Sequence, residues 1–219
     1  MRGMMYVNVH THKRGEGVYV LDVSGGEQAG RGELCSLGIH PLFAEREVRL
    51  GEIREKAERR EIVAVGEAGF DRNAVISMEE QGKLFEEEVR IAETYDLPLI
   101  IHCVRAFPEL LAVYKKMRPR QAWIVHGYNN NEEILLQLLE HGFYISAGKK
   151  LFVPHSNIRR LLPLIPLEQL FLETDDSDRG IEAVYREVSV LRDISPEMLM
   201  HRVYENFRKV FHACECNKV

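Results

Sequence analysis

Apolar positions along the chain fall into short runs rich in β-branched residues, each bounded by Gly, Pro or Asn. The runs are Met5–His10, Val18–Val23, Leu34–Ile39, Ile62–Glu67, Leu99–Val104, Ala122–His126, Phe143–Ala147 and Gln169–Thr174. Several are apolar throughout rather than alternating, the pattern of parallel strands covered on both faces. Helical patterns separate the later runs. Ser77 to Asp96 opens with Ser77-x-x-Glu80, a capping-box signature, and Leu84, Phe85, Val89, Ala92 and Tyr95 then form one apolar stripe. Asn130 to His141 opens with Asn130-x-x-Glu133 and stops at Gly142. Ser195-Pro196-Glu197 reads as an N-cap followed by proline in the first turn, with a helix from there to about Phe211. Strand and helix in alternation predict a parallel α/β fold. Eight strands in a single domain over 1–219 predict a TIM-type (β/α) barrel.

The N-terminal side breaks that rule. Only Lys13 to Gly17 separates the first two runs, whereas a parallel crossover takes about a dozen residues. The second run is therefore expected to pair antiparallel with the first or to lie outside the barrel. Ser24 to Glu33 is glycine-rich and too short for a helix. The expected barrel is trimmed and irregular on this side.

Composition narrows the class. The 219 residues are 45% hydrophobic and carry a formal net charge of −5, which excludes a disordered chain, a collagen-like fibre and a disulfide-stapled mini-protein. A mildly acidic balance gives no broad grip on a nucleic-acid backbone, so phosphate chemistry needs a local source of positive charge. No apolar stretch approaches the ~18 residues of a membrane span. Asn8, His10, Thr11, His12 and Lys13 interrupt anything of signal-peptide length. The 4 cysteines are scattered, as in a reducing compartment. The expectation is a cytoplasmic protein without membrane contact.

The histidines carry the candidate chemistry. Of the 9 in the chain, His10, His40, His102 and His126 each fall at the C-terminal edge of a run, with His12 just beyond the first. Glu67 ends the fourth run and Asp175 follows the last. That edge is where barrel enzymes place their reacting groups. Any one histidine there is more often a hydrogen-bonded core residue than a ligand, and either carboxylate fits a helix cap or a surface charge; the joint arrangement is far more specific. Alternate residues of an extended segment face one side, so His10 and His12 can reach a common ion. Neutral imidazole and carboxylate together suit divalent transition metals. Such ions can hold a phosphoryl oxygen, generate hydroxide near neutral pH and supply the positive charge the composition lacks.

Val9-His10-Thr11-His12, Gly38-Ile39-His40-Pro41, Gly66-Glu67-Ala68-Gly69-Phe70-Asp71, Leu97-Pro98-Leu99-Ile100-Ile101-His102, Ile124-Val125-His126-Gly127, Glu173-Thr174-Asp175 and a closing Asn206-Phe207-Arg208-Lys209-Val210-Phe211 occur in this order. Over residues 5 to 211 the chain resembles the TatD-related metal-dependent hydrolases, the TatD-type DNases. The resemblance implies a barrel with a one- or two-metal site that cleaves phosphodiesters of DNA or a related substrate. His10, His12 and Asp175 would hold one ion and His102 and His126 the other, with Glu67 bridging. Asp175 would also orient or deprotonate the attacking water, so Asp175 and Glu67 are the expected catalytic carboxylates. His40 and Arg105 would contact the phosphate. Four histidines with two carboxylates suit Zn²⁺, Mn²⁺, Fe²⁺ or Ni²⁺, and the resemblance also admits Mg²⁺. The chain departs from the family in lacking a first helix, in Asp71-Arg72-Asn73, and in a short segment after Asp175.

Other features read as structure. His141 suits the last turn of a helix, His155 a cap and His201 a solvated face. Cys35, Cys103 and Trp123 read as core. Glu79, Glu80, Glu86, Glu87 and Glu88 read as one solvated acidic face. His212-Ala213-Cys214-Glu215-Cys216 has too few spaced ligands for a structural zinc site. No Walker loop or Gly-x-Ser-x-Gly elbow is present. The competing functions are an amidohydrolase or lactonase acting on a small molecule, and a non-enzymatic scaffold. Many amidohydrolases bridge their metals with a modified lysine, so a glutamate at position 67 favours phosphoester work.

Overall fold

The computed structural model describes residues 5–43 and 50–212. In chain order the elements are β1 (Val7–Thr11), β2 (Val18–Asp22), β3 (Leu34–Leu37), α1 (Leu50–Glu58), β4 (Ala64–Asp71), α2 (Met78–Thr94), β5 (Leu99–Val104), α3 (Phe107–Met117), β6 (Trp123–Val125), α4 (Glu132–Glu140), β7 (Tyr144–Ala147), α5 (Asn157–Leu161), β8 (Leu170–Leu172), α6 (Ile181–Arg192) and α7 (Pro196–Phe211). The strands follow sequence order, β1 to β8, in one sheet, and the registered pairs are parallel. The fold is α/β, of the TIM-type barrel class. Each apolar run of the sequence overlaps one of these strands, although β1 extends one residue past its run to Thr11 and β4 continues past Glu67 to Asp71. β1, β4, β6, β7 and β8 are buried at every position, as two-sided cover requires.

The expectation for the second run is corrected. β2 is a parallel neighbour of β1, with Val7 opposite Val18 and Asn8 opposite Tyr19. The dozen-residue rule applies to crossovers that contain a helix. A five-residue strand is only about 16 Å long, and residues 12–17 can span roughly 20 Å when extended. The chain therefore runs straight back. Gly17 makes the re-entry possible: its φ is +82°, and a Cβ there would stand 2.6 Å from the Tyr6 carbonyl oxygen. That same carbonyl accepts the Val18 N–H at 2.9 Å. Neither 12–17 nor 23–33 contains a helix, so the barrel is irregular on its N-terminal side.

The chain divides into two compact units, residues 1–21 with 125–219, and residues 22–124. In the first unit the end of β8 returns to β1. The Asp175 N–H donates to the His10 carbonyl at 3.1 Å, and the His12 N–H to the Asp175 carbonyl at 3.2 Å. The buried Tyr185 hydroxyl of α6 accepts from the Val7 N–H and donates to the Val7 carbonyl, both at 3.1 Å. α7 starts as its sequence predicts, with the Ser195 hydroxyl accepting from the Met198 N–H at 3.2 Å ahead of Pro196. The Asn206 amide then anchors α7 on the Leu167 and Leu170 carbonyls. α4 begins one residue later than the sequence indicates, because Asn131 rather than Asn130 caps it, accepting from the Ile134 N–H at 2.9 Å. His141 caps its C-terminal end, and His201 is exposed beside Glu205. Cys214, Glu215 and Cys216 lie outside the described residues.

In the second unit α2 carries the predicted capping box of Ser77 and Glu80. Phe70, Phe85 and Trp123 pack edge to face, and Trp123 is buried, so it is a core residue. The acidic face of α2 needs one correction. Glu79 pairs with Lys83, and Glu86 with Arg90 and Lys116, at the surface. Glu88 instead points inward and is 1% exposed. Its Oε1 accepts the Ile39 N–H at 2.6 Å. Burial pushes its carboxyl well above the usual range. A carboxylate at that position meets a backbone donor that no strand partner satisfies, which helical spacing alone does not reveal.

Candidate metal centre

In the first unit, the C-terminal ends of β1, β6 and β8 bring together His10, His12, His126 and Asp175. His10 and His12 sit two residues apart on one extended segment and so turn their rings to the same side, with centroids 5.0 Å apart. Asp175 Oδ1 is 3.4 Å from His12 Nε2 and 3.8 Å from His10 Nε2. The His126 ring lies 4.7 Å from that of His10. Its Nδ1 is 3.6 Å from Oε1 of the buried Glu173, which accepts the Gly127 N–H at 2.7 Å. Asn8, Thr11 and Thr174 brace the two strand ends. The Asn8 amide donates to Thr174 Oγ1 at 2.8 Å, and the Thr174 hydroxyl bonds Thr11 Oγ1 at 3.0 Å.

Lys149 completes this cluster. Its Nζ is 2.8 Å from Asp175 Oδ2 and 2.6 Å from Asp176 Oδ1. Burial alone would raise the Asp175 carboxyl. The hydrogen bonds of His12 and Lys149 and the charges of His126 and His10 outweigh it and hold the group far below the carboxylate range.

In the second unit, β4 presents Glu67, β5 presents His102, and His40 follows β3. Glu67 is displaced from the regular ladder, since the β4–β5 register shifts between Val65 and Ala68. Such bulges re-aim side chains. The glycines on either side permit it. A Cβ on Gly66 (φ +147°) would lie 2.4 Å from the Ile100 carbonyl oxygen, and one on Gly69 (φ +138°) 2.3 Å from that of His102. Glu67 Oε2 is 3.2 Å from His40 Nε2 and 3.3 Å from His102 Nδ1. The two rings meet at 3.2 Å between His40 Nε2 and His102 Nδ1. Arg105 stands exposed just beyond β5, where its carbonyl accepts from Arg72 Nε at 2.8 Å.

The structure thus sets His126 beside His10 and Glu173, and places His40, expected as a phosphate contact, directly against Glu67 and His102. Asp71, Lys149 and Glu173 were not among the expected site residues. The signals were present in Lys149-Lys150 immediately past a strand end, in Asp71 closing the glycine-rich run, and in the first residue of Glu173-Thr174-Asp175.

These donors fit divalent cations. The ligand atoms of His10, His12 and Asp175 lie within 4.8 Å of one another, as do those of His40, Glu67 and His102, although the Leu42 N–H on His40 Nδ1 leaves the His40 Nε2 as a hydrogen-bond donor rather than a ligand. Donors bound to one ion at about 2.0–2.2 Å stand roughly 3–3.5 Å apart, close to the separations above. Mixed imidazole and carboxylate suits Zn²⁺, Mn²⁺, Fe²⁺ or Ni²⁺. A parallel barrel with such donor sets at its strand ends is the architecture of a metal-dependent hydrolase. Residues 23–212 match the family described as TatD related DNase, and the chain belongs to it.

The chain is 32% identical over 150 residues to the uncharacterized metal-dependent hydrolase YjjV of Escherichia coli K12, a match covering 66% of this chain and 58% of that protein. It is 29% identical over 199 residues to the 3'-5' ssDNA/RNA exonuclease TatD of Pantoea ananatis, covering 80% and 76%. Among solved structures, the TatD homolog YjjV of E. coli superposes with a TM-score of 0.80 at 23% identity, over 94% of this chain and 98% of that one. An uncharacterized amidohydrolase of Saccharomyces cerevisiae gives 0.67 at 15%, over 88% of each. Likeness at these identities speaks for the fold.

Proposed function

We propose that this metal-dependent hydrolase cleaves phosphodiester bonds of nucleic acid, as a deoxyribonuclease acting on single strands or ends. The observation that carries the reading is Asp175, whose Oδ1 faces His10 and His12 while Lys149 holds Oδ2. The similarity to the Pantoea 3'-5' ssDNA/RNA exonuclease supports the substrate class. His10, His12 and Asp175 would hold one divalent ion, and Glu67, His102 and His126 are the other proposed ligands. When bound, the cations supply Lewis acidity and positive charge to the phosphoryl group and lower the pKa of water. Asp175, kept ionised, accepts a hydrogen bond from the attacking water and aligns it. His40 and the exposed Arg105 guanidinium contact the phosphate.

The test is a substrate panel. Purified protein with Mn²⁺ or Mg²⁺ is assayed on a single-stranded oligonucleotide, a nitrophenyl phosphodiester, an amide and a lactone. Phosphodiester cleavage that chelator abolishes supports the proposal. Turnover of amide or lactone alone replaces it with a small-molecule amidohydrolase. Inactivity with every metal overturns it.

A further inference from the structure

Asp71, the last residue of β4, is 2% exposed and has both carboxylate oxygens committed. Oδ2 is 2.9 Å from His102 Nε2. Oδ1 accepts two bonds from Asn73, from its backbone N–H and its side-chain amide, each at 2.8 Å. An ionised carboxylate only accepts, so the proton between Asp71 and His102 belongs to His102 Nε2. The neutral imidazole then has its lone pair on Nδ1, the atom that faces Glu67.

His40 imposes the same tautomer from the other side. Its Nδ1 accepts the Leu42 N–H at 3.1 Å, so the neutral ring is protonated on Nε2. That N–H points at Glu67 Oε2 and His102 Nδ1, both at 3.2 Å. His102 Nδ1 is thus an acceptor from both directions of argument.

We infer that Asp71 is a positioning residue that locks His102 in the Nε2–H tautomer and so aims the Nδ1 lone pair at the metal. The inference rests on reading His102 as a ligand. Carboxylate partners of ligating imidazoles act in this way, and removing one typically lowers metal affinity about 10- to 100-fold. The bonding at Asp71 makes the consequence of one substitution specific. In Asp71→Asn the amide oxygen has to remain at the Oδ1 place, because two donors converge there. The new NH₂ then faces His102 Nε2, which must become an acceptor. The His102 proton moves to Nδ1 and blocks the ligating atom.

Imidazole ¹⁵N NMR of metal-free protein at pH 8.5, with His102 assigned by the loss of its signal in His102→Gln, reads the tautomer directly. The wild-type protein is expected to show Nε2–H, and Asp71→Asn to show Nδ1–H. Mn²⁺ or Zn²⁺ titration is expected to show a 10- to 100-fold loss of affinity at one site in Asp71→Asn. A wild-type His102 protonated on Nδ1 overturns the inference and needs no variant. So does a folded Asp71→Asn protein with the wild-type tautomer and affinity within twofold. Neither readout involves substrate, so a protein inactive on DNA but showing these shifts would refute the nuclease reading and leave the Asp71 inference standing.

Discussion

Lys149 Nζ stands 2.8 Å from Oδ2 of Asp175, on the opposite oxygen from the one that faces His10 and His12. The ammonium leaves Asp175 one oxygen for an ion and adds a positive charge beside it, which under the proposed function would meet the substrate phosphate. Partial burial alone would lower the lysine pKa, but the bonds to Asp175 and Asp176 push it up to about 12. It therefore stays charged through any practical assay. Lys149→Met is expected to reduce kcat/KM on a phosphodiester about tenfold, the worth of one charge-assisted bond, chiefly through KM. Affinity for the ion on Asp175 should hold or rise, since a competing cation is gone. Steady-state kinetics beside a metal titration separates the two effects, and an unchanged KM would reject the phosphate contact.

Gly69 sets how closely β4 approaches the strand that carries His102. Its positive φ and the 2.3 Å approach of an added Cβ to the His102 carbonyl oxygen leave no room for a side chain. The obstacle is backbone, which cannot swing aside. Gly69→Ala is expected to cost about 2–4 kcal/mol, combining left-handed strain with displacement of β5. Urea unfolding measures the cost, and metal affinity should fall with it because both His102 and Glu67 ride on these strands. A variant with wild-type stability would show that β4 relaxes where its packing says it cannot.

Glu88 makes a pH-dependent contribution that is separate from catalysis. Burial raises its carboxyl above the unfolded value of about 4.5, opposed only in part by the bond from the Ile39 N–H. An acid whose pKa is higher in the folded state binds its proton more tightly there. Its contribution is therefore complete below pH 4.5 and is lost as pH rises through the folded value. Glu88→Gln keeps an acceptor for Ile39 and removes the titration. The variant should match wild type near pH 4 and exceed it in melting temperature at pH 8. Glu88→Leu, which orphans the Ile39 N–H, should be less stable by about 1–3 kcal/mol. Parallel melting curves for Glu88→Gln and wild type across this range would contradict the assignment.

Hydrophobic runs revealed the strands because two-sided burial forbids polar residues there, and histidines at run ends marked the candidate ligands because barrel enzymes place their chemistry at strand ends. The direction of β2 was hidden, since the length rule it breaks presumes a helix that this chain replaces with the extended return at 12–17. Glu88 was hidden because it shares helix α2 with four acidic residues that do face water. Lys149 was hidden for a different reason. It acts through Asp175, 26 residues away in sequence, and its neighbour Lys150 looks identical in composition. Local pattern shows which residues are apolar or capable of ligation, whereas which lysine meets which carboxylate is decided by the fold.

Metal binding and protons should compete at the histidines, because imidazole ligates only when neutral. Asp175 is held so far below the ordinary carboxylate range that it stays ionised throughout the acid limb and does not set its position. An ion bound only by the folded protein stabilises it, by about 2.7 kcal/mol at 100 times Kd. Adding Mn²⁺ or Zn²⁺ to metal-free protein at pH 8 should therefore raise the melting temperature, and chelator should reverse the rise. The shift should shrink steadily between pH 8 and pH 5, together with activity. His12 offers a clean control, since its side chain is 40% exposed and its loss leaves no cavity in the core. His12→Ala should melt like wild type without metal and show a smaller shift with it. A shift that is independent of pH, or undiminished in His12→Ala, would mean that the ion binds elsewhere.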